Sequence, residues 1–574
     1  MFGRLLIANR GEVAVRIIRA CRELGVTAIA AHSTVDRGAL HVRLADERIC
    51  IGPPRAEQSY QSIPAVVSAA LATRADAVHP GYGFLAENGD LAEALRRSGV
   101  AFVGPRARHL RLMGDKARAR RFMARAGVRV LPGTERPLDD AAEVAEVAAA
   151  IGYPVMVKAV AGGGGRGLRL VRRPGELAAA VAAARREAAA AAGDARVFLE
   201  RYLEDARHVE VQVLGDRHGR LIALGERDCS VQRRHQKLLE EAPAPALAPG
   251  LRAALAEAAL AGARALRYEN LGTMEFLVAA DGVFHFLEMN PRLQVEHTVT
   301  EAVTGVDLVA ESLRAAAGEP LAIDEPAPAA RGHAIECRIY AEESGRPSGG
   351  VVRRLHVPGG PGIRVDLGVG AGETITAHYD TLLAKLVAHG QTRAEAIARL
   401  RAEAPALPIV AFSIDRSPEL IRAVLRAGGN GYVSKDTPAS RVIAALHAAV
   451  EGLVALGREA ATSISHGEPL EPRLPAPSEF AEHEGATKEH TAGVPNGVTP
   501  NGSSEKEPPH EPLTPRELEL LRYLAEGYTN KEIARAMVLA EDTVKKGVQM
   551  LIAKLGAADR THAVVLALRN HVIA

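Results

Sequence analysis

The sequence predicts a multidomain α/β chain that closes in a small all-α domain. Three observations carry this. The chain has 574 residues, well beyond the size at which one hydrophobic core stops growing. From residue 1 to about 456, short apolar runs alternate with stretches of helical spacing, the pattern of sheets covered by helices. A polar stretch, 457–512, then separates this body from 513–574, which is patterned as four compact helices.

The elements follow in order. Leu5–Ala8 is strand-like, Val13–Leu24 has helical apolar spacing, and Thr27–Ala31 and Ala77–Val78 resume the strand character. Residues 1–113 therefore form a βαβ layer. Residues 114–330 continue as mixed α and β, with the strand Val155–Ala159 leading into a glycine-rich loop, Gly162–Gly167. Residues 331–404 are strand-rich and end in a helix, Arg393–Glu403. A strand at Pro408–Ser413, a helix at Pro418–Ala427, a strand at Gly431–Ser434 and a helix at Ala439–Leu453 come next. The stretch 457–512 holds nine prolines and ten acidic against four basic residues. It cannot bury enough apolar surface to offset the entropy of ordering, so it reads as a disordered linker.

Composition narrows the class. An apolar fraction of 47% and a net charge of +2 describe ordinary globular protein and leave nucleic acid undecided. Cys21, Cys50, Cys229 and Cys337 are scattered, without a CxxC pair, which predicts reduced thiols and no structural zinc. No apolar run approaches a membrane span, and the apolar stretch of MFGRLLIANRGE is too short for a signal peptide. The expectation is a cytoplasmic protein without a membrane partner.

Candidate chemistry begins at AGGGGRG, 161–167. Glycines there let backbone N–H groups approach phosphate oxygens. No GK[ST] follows, so it is not a Walker loop. Lys116 and Lys158 are candidate point charges for nucleotide phosphates, although a lone lysine is ordinarily a surface residue. Glu275 and Glu288 lie in two apolar strand-like segments, MEFLV and FHFLEMN. Strands in adjacent register would converge both carboxylates and the Asn290 carbonyl on a hard cation, Mg²⁺ or Mn²⁺. The alternative is a hairpin with two glutamates facing solvent.

The strings IANRGEVAVR, HPGYGFLAEN, LMGDK, GGGGRG, RHVEVQV, ERDCSVQRRHQK, FLEMNPRLQVEH and GHAIECRI occur in this order over about 1–404. Together they resemble the biotin carboxylases, both the free bacterial subunit and the matching domains of acyl-CoA and pyruvate carboxylases. The resemblance implies a Rossmann-like N-terminal domain at 1–113, an ATP-grasp domain at 114–330 with a lid at about 131–203, and a C-terminal domain at 331–404. It implies ATP- and bicarbonate-dependent carboxylation of biotin through carboxyphosphate.

Carried onto this sequence, the resemblance assigns ATP binding to Lys116, Lys158, Gly164, Gly165, His208, Gln232 and His235. Glu200, Arg201, Tyr202 and Leu203 match the hinge that reads adenine. Glu275, Glu288 and Asn290 match the metal ligands, with two Mg²⁺ or Mn²⁺ sites allowed. Lys237, Arg292, Gln294 and Val295 match the bicarbonate pocket. Glu296 matches the general base, and Arg338 the residue that stabilises the biotin enolate. The chain holds no AMKM-type biotinyl-lysine sequence, so biotin is expected on a separate carrier protein. Carboxyltransferase subunits are expected beside it, and members of this kind commonly dimerise.

The resemblance stops near Glu403. The helix before it carries Ala396, Ile397 and Leu400, which the missing family segment would cover, so loosened packing is expected near 385–456. Residues 405–456 resemble the last strands and helices of a response-regulator receiver, with Ser413, Tyr432 and Lys435 at matching positions but no phosphoacceptor. Residues 513–574 resemble the helix-turn-helix domain of LuxR/NarL-type regulators. Glu541–Leu555 would be its recognition helix, offering Thr543, Lys545, Lys546 and Gln549 to DNA. Gly547 interrupts that helix at a cost of about 1 kcal/mol. The competing reading is a DNA-binding regulator that carries an inactive carboxylase body.

Overall fold

The computed structural model describes residues 1–134, 136, 138, 141–159, 168–192, 195–233, 236–323, 328–343, 346–403, 410–413, 418–426, 431–434, 445, 455–456, 513–525, 533–534, 537 and 539–554. The chain divides into two units, Met1–Pro475 and Ala476–Ala574.

The first unit opens with β1 (Arg4–Ile7), helix α1 (Gly11–Glu23), β2 (Thr27–Ser33), β3 (Glu47–Gly52), β4 (Ala77–His79) and β5 (Ala101–Phe102). These strands form a parallel sheet in the order β3-β2-β1-β4-β5. The α1 sequence puts Val13, Ala14, Ile17 and Ile18 on one side, and all four are buried against the sheet. A second, antiparallel sheet of three strands follows: β6 (Val155–Ala159), β7 (Arg169–Val171) and β8 (Val197–Arg201). Val155, Val157 and Leu199 pack there against Val181 and Ala184 of the helix Leu177–Ala192, in a core of their own.

The largest sheet has eight strands. They are β9 (Arg207–Gly215), β10 (Leu221–Arg233), β11 (Gln236–Ala242), β12 (Asn270–Val278), β13 (Phe284–Asn290), β14 (His333–Tyr340), β15 (Ile363–Leu367) and β16 (Leu382–Gly390). All pair antiparallel, in the order β13-β12-β9-β10-β11-β14-β16-β15. The strand-rich 331–404 region thus extends the same sheet. Helix α2 (His297–Thr304) packs on it.

Helix α3 (Arg393–Glu403) lies against β14 and β16. Here the expectation of an uncovered face is corrected. Ala396, Ile397 and Leu400 are at most 2% exposed. Beyond them come β17 (Val410–Ser413), α4 (Pro418–Arg426), β18 (Gly431–Ser434) and β19 (Ala455–Leu456), with the three strands parallel. Ile421, Val424 and Tyr432 join Ala396, Ile397, Leu400, Ile335 and Leu386 in one buried cluster. The segment past residue 404 closes the apolar face that the resemblance leaves open. The expected helix Ala439–Leu453, apart from residue 445, and the linker 457–512 lie outside the described residues, as does Lys435.

In the second unit, α5 (Pro515–Ala525) and α6 (Glu541–Lys554) are described; the rest of the expected four helices lie largely outside the described residues. Thr514 and Glu517 make a reciprocal capping box: Glu517 Oε2 accepts from the Thr514 N–H at 2.8 Å, and Thr514 Oγ1 accepts from the Glu517 N–H at 3.3 Å. Lys554 reaches Glu517 at 3.0 Å and ties the two helices together. Gly547 is more than a helix weakener. A Cβ there would lie 2.9 Å from Leu520 Cδ2 of α5, so glycine allows the helices their close approach. No helix among the described residues is long and apolar enough to cross a membrane.

Two measurements check this packing. Ile421→Ala should destabilise the first unit by roughly 2–5 kcal/mol and raise hydrogen exchange in α3; a change within about 0.5 kcal/mol would contradict the buried cover. Arg393 also fixes α3 electrostatically, donating to Glu241 at 2.6 and 3.1 Å, while His333 meets the same carboxylate at 2.9 Å. Burial alone would raise the Glu241 pKa, but Arg393 and His333 more than offset it and hold it down at about 2. Its stabilisation is therefore full above pH about 4.5 and lost as the pH falls toward 2. Acid melting curves of Glu241→Gln should lose that dependence across this window.

Candidate functional site

The sheet register builds a cleft of about 720 Å³. Glu275 on β12 stands directly opposite Glu288 on β13, and Thr273 opposite Asn290, so both glutamates and Asn290 share one edge of the sheet. On the other side of β12, Glu275 pairs with Glu210 of β9. Lys237, at the start of β11, reaches across to Glu210 at 2.5 Å, Glu275 at 2.8 Å and Glu296 at 2.6 Å. Glu296 is the residue just before α2 and is fully buried. Its second oxygen accepts from Arg338 of β14 at 3.0 Å, and Arg338 also meets Glu240 at 2.5 Å.

These pairs shift the pKa of each group in a definite direction. Burial disfavours the charged form of Glu296, yet Lys237, Arg338 and Arg227 outweigh it and hold the carboxyl well below its usual range. Glu275 is depressed in the same way, against burial, by Lys237 and His208, which approaches it at 2.7 Å. Lys116 at 2.9 Å lowers Glu288. Burial opposes the charge of Lys237, but its three carboxylates raise its pKa well above the ordinary value. Glu240 goes the other way, pushed up to about 8 by burial despite Arg338.

The anion side of the cleft is equally fixed. Arg292 donates to Glu87 at 2.6 Å, to Gln294 Oε1 at 2.9 Å and to Asn290 Oδ1 at 3.1 Å. Asn290 in turn donates to Glu275 at 2.7 Å. From the N-terminal sheet, Asn9 donates to the carbonyls of Pro80 and Tyr82 at 2.6 and 2.7 Å. This holds the turn that brings Tyr82 and Gly83 to the cleft wall.

Of the residues singled out from the sequence, Lys116, Lys158, Arg201, Tyr202, Leu203, His208, Gln232, Lys237, Glu275, Glu288, Asn290, Arg292, Gln294, Val295, Glu296 and Arg338 all line this cleft. Glu200 sits behind it, buried, paired with Lys158 and with Arg120 at 2.7 Å. Gly164, Gly165 and His235 lie outside the described residues. Thr543, Lys545, Lys546 and Gln549 are exposed on α6, opposite the buried Val544, Val548 and Leu551. The donor chemistry near Glu275 and Glu288 fits a divalent cation: two ionised carboxylates and an amide face the cleft, an oxygen set suited to Mg²⁺ or Mn²⁺.

Sequence reasoning passed over Glu210 and Arg227. Arg227 is fully buried and donates to Glu210 at 2.5 Å, Gln212 at 2.8 Å, Thr300 at 2.9 Å and Thr273 at 3.1 Å. Both residues lie within RHVEVQV and ERDCSVQRRHQK. For Glu210 the available signal was a charge between valines in a strand, which requires a partner once buried; Arg227, between Glu226 and Asp228, gave no such signal.

Comparison with known proteins gives four family matches. They are the biotin carboxylase N-terminal domain at 1–110, the ATP-binding domain of the carbamoyl-phosphate synthase L chain at 115–324, the biotin carboxylase C-terminal domain at 336–426, and the luxR family of bacterial regulatory proteins at 511–567. The third match runs past residue 404 and takes in β17 and α4. Biotin carboxylase of a Nostoc species is 52% identical over 403 residues, covering 70% of this chain and 90% of its own length. Biotin carboxylase 1 of Bacillus subtilis is 48% identical with the same coverage. Among solved structures, the Campylobacter jejuni biotin carboxylase–β,γ-ATP complex matches with a TM-score of 0.69 and 44% identity, over 70% of this chain and 91% of that one. The biotin carboxylase domain dimer of Hydrogenobacter thermophilus 2-oxoglutarate carboxylase, bound to MgADP, ADP and bicarbonate, matches at 0.68 and 45%, over 70% and 89%.

Arg227→Met should destabilise the first unit by roughly 3–5 kcal/mol, because it leaves buried Glu210 with one cation instead of two. Chemical denaturation checks this, and Arg227→Met with Glu210→Gln should recover part of the loss.

Proposed function

The chain belongs to the biotin carboxylase family, and we propose from that premise how its own residues share the ATP- and bicarbonate-dependent carboxylation of biotin. The observation that carries the reading is the grip of Lys237 and Arg338 on opposite oxygens of Glu296, at 2.6 and 3.0 Å.

Lys116 and Lys158 neutralise the nucleotide phosphates, with backbone donors at Gly164 and Gly165. Glu200, Arg201, Tyr202 and Leu203 form the adenine edge, and His208, Gln232 and His235 complete the nucleotide contacts. Glu275, Glu288 and Asn290 hold Mg²⁺ or Mn²⁺, at one or two sites. When bound, that cation neutralises charge on the transferring phosphoryl oxygens.

Lys237, Arg292, Gln294 and Val295 receive bicarbonate. Positive charge on two sides lowers the pKa of the bound anion. Glu296, already ionised, takes its proton. The bicarbonate oxygen then attacks the γ-phosphorus, the bond to ADP breaks, and carboxyphosphate forms. It separates into CO₂ and phosphate; the phosphate removes the proton from biotin N1′, and N1′ attacks CO₂. Arg338 stabilises the enolate formed in between, as a donor fixed in advance.

Biotin arrives on a carrier protein, and carboxyltransferase subunits consume the product. A second copy of the chain is a further partner, as one solved relative is a domain dimer. The four unpaired cysteines support a reducing, cytoplasmic setting. A second reading concerns 513–574 alone: DNA binding through α6. It is favoured by the exposure of Thr543, Lys545, Lys546 and Gln549 on one side of a helix that buries the other.

Glu296→Gln should abolish bicarbonate-dependent ATP cleavage while nucleotide still binds. Turnover within about tenfold of the parent, roughly 1.4 kcal/mol in barrier, would remove Glu296 from the role of base. For DNA, Lys545→Ala with Lys546→Ala should weaken binding and flatten its salt dependence, since lost phosphate contacts release fewer counterions. An unchanged slope in a salt titration would mean that this helix face is only solvated.

A further inference from the structure

Lys385 is a charged residue at the centre of β16, with no exposed surface at all. It lines no part of the cleft. Its Nζ donates to the carbonyl of Val295 at 2.9 Å and pairs with Glu12 at 3.1 Å and Asp366 at 3.8 Å. Three parts of the fold meet at this one ammonium. Glu12 comes from the first turn of α1 in the N-terminal layer, Asp366 from β15, and Val295 from the turn that carries Glu296.

The surroundings hold it rigidly. Asp366 receives two bonds from Arg364, at 3.0 and 2.8 Å. Arg364 also reaches Glu301 of α2 at 2.7 Å, and Arg16 of α1 reaches the other oxygen of Glu301 at 2.9 Å. Helix α2 is therefore clamped one turn after Glu296 by the same two layers that hold Lys385. Gly368 brings the chain after β15 so close to α1 that a Cβ there would collide with the Glu12 amide nitrogen. The remaining oxygen of Glu12 accepts from the hydroxyl of Tyr82, which lines the cleft.

A buried ammonium is costly to keep, and a hydrophobic residue would fill the same space in the sheet. What an apolar side chain could not supply is the bond to the Val295 carbonyl. That bond sets the height of the turn on which Glu296 sits, and a base displaced by a fraction of an ångström is no longer aligned with its proton. We propose that Lys385 is a positioning residue for the carboxylase reaction: through Val295 it fixes Glu296, and through Glu12 and Asp366 it ties that placement to the docking of the N-terminal and C-terminal layers. The proposal rests on the reading of Glu296 as the base.

The test compares variants of the full chain. Lys385→Met with Glu12→Gln, and Lys385→Leu with Glu12→Leu, remove the charge pair together so that Glu12 is not left unpaired. In whichever variant melts as a folded protein, kcat for bicarbonate-dependent ATP cleavage should fall roughly ten- to hundredfold. The KM for ATP should stay within about twofold. Lys385→Arg, which keeps a charged donor toward Val295, should recover most of the kcat. A folded variant with kcat within about threefold of the parent, or an arginine variant no better than methionine, overturns the positioning role. Should Glu296→Gln itself retain turnover, the base assignment fails instead, and the two failures are told apart.

Discussion

One ammonium group organises this molecule. Lys237 stands within 2.8 Å of Glu210, Glu275 and Glu296, and none of these charges tolerates burial alone. Glu210 and Glu275 are register partners on neighbouring strands, Lys237 opens a third strand, and Glu296 precedes a helix packed on the sheet. The four groups meet only if the register of β9, β10, β11 and β12 is correct. A slip of one residue would turn each side chain to the other face and strand several buried charges. The electrostatics of the cleft and the specificity of the sheet are therefore one constraint.

A second constraint follows. Four carboxylates lie in or just behind the cleft and all are answered by cations: Lys237 is shared by Glu210, Glu275 and Glu296, with Arg227 also on Glu210, Arg338 also on Glu296 and Lys116 on Glu288. Arg227, Arg338 and Lys237 hold their partners from β10, β14 and β11 of the same sheet, while Lys116 does so from outside it. Of these cations only Arg227 is wholly buried, a rigid fork behind Glu210, whereas Arg338, Lys237 and Lys116 line the cleft.

Much of this was legible before the structure. The strand character of MEFLV and FHFLEMN led directly to a carboxylate pair in adjacent register, because alternation sets which side chains share a face. The roles tied to Gly164, Gly165 and His235 rest on motif order alone. Other residues were hidden for physical reasons. Glu210 and Lys385 read in sequence as isolated charges within apolar strands, and Arg227 as the middle of a charged run with Glu226 and Asp228; one chain cannot show which distant charge will answer each of them. The same limit explains α3. Its apolar residues look abandoned because the motifs readable in the sequence stop near Glu403, whereas the match to the family's C-terminal domain runs on to 426 and takes in Ile421 and Val424, which cover them together with Tyr432. Gly547 shows it again: helix propensity marks it as a cost, and only the position of Leu520 reveals why the residue is small.

The division into cores bears on how the cleft works. The sheet of β6, β7 and β8 has its own apolar cluster, separate from that under β9 and β12, so a tilt of this sheet would open neither core. Lys158 belongs to this small sheet, where Glu200 answers it, whereas Lys116 belongs to the body, where Glu288 answers it. Without an anion between them, two ammonium groups that approach across a cleft repel. A nucleotide triphosphate would, on the proposed assignment, reverse that sign, drawing both lysines inward and releasing Glu288 from Lys116. On the proposed assignment, the released carboxylate is then free to take a divalent cation that accompanies the phosphates. On that assignment closure and metal binding would be coupled through one exchange of ion partners, with no movement required of the large sheet whose register holds Lys237.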